Sequence, residues 1–128
     1  MARKLVTAHS TWAPTVGYSR AVRVGTHVYV AGTAGIGSDG AVTGDAHAQT
    51  LRALAIIQEA LAESGAVLAD VVRTRIFVTD IDQWEAVGRA HGEVFRDIRP
   101  ASTMVEVSRL IDPAMLVEIE ADAVIEEG

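Results

Sequence analysis

A chain of 128 residues with a formal charge of −6 and a pI near 5.1 has the length of one domain, residues 1–128, and lacks the clustered cationic footprint that binding to nucleic acid requires. It has no cysteine, so disulfide and thiolate chemistry are excluded, and with 49% hydrophobic but only 5% aromatic residues its core must be built from Val, Ile, Leu and Ala. The Leu5-Val6 pair after Met1-Ala2-Arg3-Lys4 is too short for a signal segment and no apolar run reaches membrane length, so a soluble cytoplasmic protein is expected.

In chain order, Lys4–Ala8 reads as an edge strand, and His9–Gly17, with Trp12 and Pro14, as an irregular loop. Tyr18–Val24 and His27–Thr33 alternate on either side of Gly25-Thr26, which suits a type II′ hairpin. Ala34–Gly44 reads as a glycine-rich loop. The Gly32, Gly35, Gly37 spacing has the wrong order for a dinucleotide fingerprint, and no helix opens directly behind it to bind phosphate. From the N-cap Asp45 to Gly65 the chain reads as a helix with Leu51, Leu54, Ile57 and Leu61 on one stripe. Val71–Thr79 alternates as a strand, with Val72, Thr74, Ile76 and Val78 on one side and Arg73, Arg75 and Phe77 on the other. Asp82 and Glu85 suggest a capping box for a second helix striped by Trp84, Val87, His91 and Val94, with Trp84 in the core; it stops before Arg99-Pro100.

Two further alternating runs, Thr103–Val107 and Val117–Ala123, are joined through Asp112-Pro113, and the simplest reading is an antiparallel hairpin. Glu106, Glu118, Glu120 and Asp122 would then share a face with Arg73 and Arg75, which would pair with Glu106 and Glu120. The fold class is α+β: a two-layer mixed sheet with two helices on one face and a charged opposite face that calls for cations, water or a partner chain.

Arg99-Pro100-Ala101, Val105-Glu106-Val107, Arg109-Leu110 and Val117-Glu118-Ile119-Glu120-Ala121 resemble the C-terminal signature of the YjgF/RidA family of reactive intermediate deaminases. The likeness continues upstream through Tyr18, Ala31-Gly32, the Gln49–Gly65 helix and Asp70–Val78. It implies a chorismate-mutase-like fold, a homotrimer whose sheets form a barrel, and small-molecule clefts between subunits. It also implies hydrolytic deamination of an imine or enamine without a cofactor.

The resemblance places the site at Tyr18, Ala31, Gly32, Gly88, Ser102 and Glu118. Ser102 stands where the family has an arginine that grips the substrate carboxylate, Ala31 stands for a serine and Gly88 for an asparagine. A larger and less cationic cleft follows, so standard 2-iminopropanoate deaminase activity is not expected. Glu118 is the candidate for handling the water proton, with a purely salt-bridged role as its alternative, and Tyr18 either bonds a ligand or caps the sheet. Arg75 either replaces the missing arginine or pairs with acids inside the trimer, while His91 either borders the cleft or packs in the core. The four histidines show no metal spacing, so no metal is expected. The alternative function is a non-catalytic ligand-binding or metabolite-sensing trimer. A ribonuclease or translation-inhibitor role, attached to some family members, sits poorly with the acidic balance.

Overall fold

In the computed structural model, which describes residues 3–126, the chain begins with β1 (Lys4–Val6) and a single helical turn, α1 (Ala13–Val16). That turn lies in the segment expected to be irregular; Pro14 near its start and Gly17 at φ 79° after its end frame it. β2 (Ala21–Val24) and β3 (His27–Ala34) form the expected hairpin. Gly25 has φ 61°, and the only positive φ outside glycine among the described residues is at Arg99, the pattern of a type II′ turn.

α2 (Ala46–Glu63) begins and ends where its capping residues stand. The Asp45 carboxylate accepts from the Ala48 N–H at 2.9 Å, and Gly65 leaves the helix at φ 84°. Leu54, Ile57 and Leu61 are buried against the sheet, each contributing about 1.5–3 kcal/mol. Gln49 is also buried: its amide nitrogen donates to the Gly44 and Ala114 carbonyls and its oxygen accepts from Leu116 N–H, which ties α2 to the segment entering the last strand.

β4 (Val71–Val78), α3 (Trp84–Phe95), β5 (Ala101–Glu106) and β6 (Val117–Val124) complete a six-stranded sheet of order β1-β2-β3-β6-β4-β5. β5 and β6 therefore do not form a hairpin. The chain leaves β4, returns through α3 and lays β5 parallel to β4, whereas β6 runs antiparallel between β3 and β4. Burial explains this order: β6 alternates buried and half-buried residues along its whole length and needs a neighbour on each side, while the largely exposed β5 tolerates an edge. The 107–116 connection crosses the end of β4 through an Asp112-Pro113 turn in which Met115 N–H donates to Asp112 O.

The register changes several facings. Thr74, Ile76 and Val78 pair with Ser102, Met104 and Glu106, so these β5 residues point to the helix side. Glu106 is thus removed from the acidic row; its carboxylate accepts from Ile81 N–H at 3.0 Å. A bulge between Val71 and Arg73 buries Val71 and leaves Val72 exposed. Asp80, not Asp82, caps the entry to α3 by accepting from Asp82 N–H, and a 3-10 turn over Ile81–Gln83 intervenes. Trp84 consequently sits at the outer start of α3, 56% exposed rather than in the core. On the free face, Arg75 is the cation that pairs: its Nη1 lies 3.4 Å from Glu120 and 3.2 Å from Asp122, and Arg73 makes no ion pair among the described residues.

Candidate functional site

The first group of site residues gathers where β3 is irregular. Between Val30 and Thr33 the β3–β6 register shifts, and the extra residue turns the backbone of Ala31 and Gly32 out of the ladder. Arg20, just before β2, reaches into this bulge. Its Nη1 donates to Gly32 O at 2.8 Å, to Thr33 Oγ1 at 2.7 Å and to Ala31 O at 3.3 Å. Its Nη2 donates to the Tyr18 hydroxyl at 3.2 Å, and that hydroxyl also bonds Ser10 Oγ at 2.6 Å. Tyr18 is thereby fixed by a cation on one side and a serine on the other.

Glu118 packs directly beneath the bulge. A Cβ on Gly32 would stand 2.7 Å from Glu118 Oε1, so only glycine lets this carboxylate lie against the β3 backbone. Burial raises the Glu118 pKa above its ordinary value, the Arg20 charge pulls it back down, and the like charge of Glu120 adds to the rise. A half-buried carboxylate with a raised pKa is suited to taking a proton from water and giving it back. On the free face beside it, Tyr18, Ala31 and Arg75 line an open groove of about 580 Å³ with Tyr29, Glu120 and Asp122. Arg75 spends its charge on Glu120 and Asp122 here, which is the pairing alternative.

The second group lies on the β5 edge. Ser102 Oγ accepts from the Thr74 hydroxyl at 2.8 Å, and Thr74 Oγ1 lies 2.9 Å from His91 Nε2 on α3. Thr74 is fully buried, His91 half-buried with its ring 4.7 Å from that of Phe95, and Ser102 exposed. Burial lowers the His91 pKa below 6.5, so the ring is neutral near pH 7. Gly88 stands one turn before His91 on the same helix, against Trp84.

These two groups do not meet within one chain. Ala31 on β3 and Ser102 on β5 are separated by β6 and β4, which amounts to about 14 Å of sheet. Glu118 and Ser102 also project from opposite faces of that sheet, because Glu118 alternates with buried Val117 and Ile119 while Ser102 pairs with buried Thr74. A small ligand cannot touch both on a single subunit. A further cavity of about 400 Å³, between β1, the 36–40 loop and α2, is lined by Arg20, Ser10, Thr33 and Arg52 but by none of the residues expected to form the site. Among the described residues no cluster of three His, Asp or Glu side chains could hold a metal ion, and no helix is long and apolar enough to cross a membrane.

Arg20 and Thr74 did not stand out in the sequence. Arg20 lies in an alternating run where any polar residue reads as solvent-facing, and nothing local announces a bulge one strand away. Thr74 reads as one more β-branched core residue. The available signal was pairwise: a hydroxyl in a row with Ile76 and Val78, and an imidazole on the apolar stripe of α3, each need a polar partner.

A single mixed sheet backed by two helices, with a glycine bulge over a carboxylate, is an α+β fold of the chorismate-mutase-like kind. The chain belongs to the Endoribonuclease L-PSP family, whose model matches residues 8–125, and this is the YjgF/RidA family that its C-terminal signature resembles. It is 53% identical to the Mycobacterium tuberculosis protein Rv2704, a member of the YjgF/YER057c/UK114 family, whose structure it matches with a TM-score of 0.89 over 97% of this chain and 100% of that one. An uncharacterized Streptomyces coelicolor protein is 39% identical over 92% of this chain and 89% of its own length. The 3-aminoacrylate deaminase RutC of Acinetobacter baylyi is 32% identical over 96% of this chain and 98% of its own.

Proposed function

We propose that the chain assembles as a homotrimer and hydrolyses an imine or enamine in the clefts between subunits, with Glu118 as the general base and Tyr18 as a ligand hydrogen bond. The observation that carries this reading is the Gly32–Glu118 contact, which holds a carboxylate of raised pKa within the field of the same Arg20 guanidinium that bonds the Tyr18 hydroxyl. In the reaction, water adds to the C=N carbon as Glu118 takes its proton, and the π pair moves to nitrogen, which is protonated. The carbinolamine then loses its C–N bond, so that R₂C=NH and H₂O become R₂C=O and NH₃. No cofactor is needed, and because the uncatalysed reaction is easy, modest positioning suffices. The family includes a relative named 3-aminoacrylate deaminase RutC, which supports the reaction class. The separation of Tyr18 and Glu118 from Ser102 supports an assembled site, in which the β5 edge of one subunit closes the groove of the next.

The substrate differs from that of a standard 2-iminopropanoate deaminase. Ser102 makes no hydrogen bond to a cationic side chain among the described residues, so at its Oγ a carboxylate would meet a hydroxyl and not a guanidinium. The assay is ammonia and carbonyl release from imines generated in situ by oxidation of amino acids, compared with imines lacking a carboxylate. Faster turnover of the uncharged imine, lost in Glu118→Gln, is the expected result; equal rates in the variant overturn the base assignment. The same absence of charge at Ser102 favours a second reading, a binding or sensing trimer without turnover, which would show saturable binding and no acceleration of any imine. A ribonuclease role is disfavoured by the net charge of −6.

A further inference from the structure

The chain of hydrogen bonds from His91 through Thr74 to Ser102 runs from half-buried to fully buried to exposed, and it has an orientation. A hydroxyl carries one proton. While Thr74 donates to Ser102 Oγ, the Thr74 oxygen accepts from His91 Nε2–H, and Ser102 keeps its own O–H and a lone pair to offer outward. With the imidazole proton on Nδ1 instead, every bond reverses: Ser102 donates inward and presents only lone pairs. The switch needs no net charge, because a neutral ring carries one proton in either form.

Three features favour a ligand-facing device over simple core satisfaction. Thr74 interrupts a row on β4 that is otherwise apolar on the helix side, with Ile76 and Val78 following it, and His91 stands on α3 with the buried Val87, Ala90 and Phe95 of that helix. Its two partners belong to different elements, α3 and β5, so the hydroxyl is held on both flanks. The end of the chain is an exposed hydroxyl on an edge strand, where burial does not require a polar residue.

We propose that the His91–Thr74–Ser102 chain makes the β5 edge a recognition position for an uncharged group that both donates and accepts hydrogen bonds, such as a carboxamide, amine or hydroxyl, in preference to a carboxylate. Thr74 and His91 act through Ser102 and are positioning residues; Ser102 Oγ is the atom that touches the ligand. A carboxylate only accepts, so it satisfies one orientation of the chain, and at Ser102 Oγ it meets a hydroxyl in place of a guanidinium. A carboxamide satisfies both orientations. The inference rests on the reading of this edge as one wall of the ligand cleft.

The test uses a matched pair of probes, pyruvate and pyruvamide, titrated into the intact protein while the Ser102 backbone and His91 ring resonances are followed by NMR. Pyruvamide is expected to perturb both with a Kd at least about tenfold lower than that of pyruvate. Thr74→Val, which keeps the shape and removes the hydroxyl, should erase the difference, and Thr74→Ser should retain it. Should Thr74→Val fail to fold, His91→Gln breaks the chain from its other end and should likewise lower the preference. Equal affinities in the parent, tighter pyruvate, no perturbation at His91 with either probe, or a preference indifferent to Thr74→Val would overturn the proposal. The hydrolytic reading fails separately, on turnover and Glu118→Gln, with the amide preference intact.

Discussion

The bulge at Gly32 and the β5 edge solve opposite problems with the same sheet. At the bulge a charge is brought inside: Glu118 lies against backbone, kept ionisable by the Arg20 guanidinium, and Arg20 is itself held by three backbone and side-chain oxygens of β3. At the start of the edge strand a neutral imidazole and two hydroxyls present an uncharged polar tip at Ser102. The comparison teaches a division of labour. A central strand, walled by neighbours, can shift a pKa through burial; an edge strand cannot, and is suited to recognition.

Three substitutions sharpen that contrast. Removing the carboxylate should cost the most: Glu118→Gln is expected to lower turnover of an uncharged imine by about a hundredfold or more, read from ammonia release, with the fold intact by circular dichroism. Arg20→Met leaves the bulge carbonyls without their donor and should destabilise the protein by about 1.5–3 kcal/mol in urea unfolding. Because Arg20 is the charge that lowers the Glu118 pKa, the same variant should move the acid limb of the rate profile to higher pH. Gly32→Ala pushes a methyl group onto the far end of Glu118, which can swing away. Turnover should fall about tenfold while the melting temperature changes by no more than a few degrees.

The smallest effect is a pH dependence of stability. The native state holds the Glu118 proton to higher pH than the unfolded chain does, so this group favours folding below its ordinary value of 4.5 and loses that contribution as pH rises through the raised native value. At pH 7 the half-buried charge is a net cost. Glu118→Gln should therefore raise the melting temperature slightly at pH 7 and scarcely change it at pH 4, by scanning calorimetry; a lower melting temperature at pH 7 would show that Arg20 more than offsets burial.

Much of this was legible in the chain. Asp45 and Gly65 bound α2 because capping is local chemistry, and the Gly25 turn follows from one positive φ. The β5–β6 pairing was not legible, because alternation marks a strand without naming its neighbour, and burial along all of β6 claimed the central place. Trp84 was misplaced by one cap: moving the start from Asp82 to Asp80 inserts a 3-10 turn and rotates the ring outward. Of the expected site, Tyr18, Ala31, Gly32 and Glu118 come together, Arg75 joins them through the groove, and Gly88, His91 and Ser102 lie on the far side of the sheet. What sequence could not supply was the pair of residues that organise each half, Arg20 and Thr74, whose roles exist only through partners distant along the chain.

The account stands on those two halves meeting between copies of the chain. With no native cysteine, Ala31→Cys and Ser102→Cys can be introduced singly, purified apart, reassembled together and treated with a short bismaleimide. The account predicts covalent dimers from the mixture but not from either variant alone, and a ladder ending at trimer from the double variant. No cross-link in the mixture, with sedimentation giving a monomer at micromolar concentration, would contradict it.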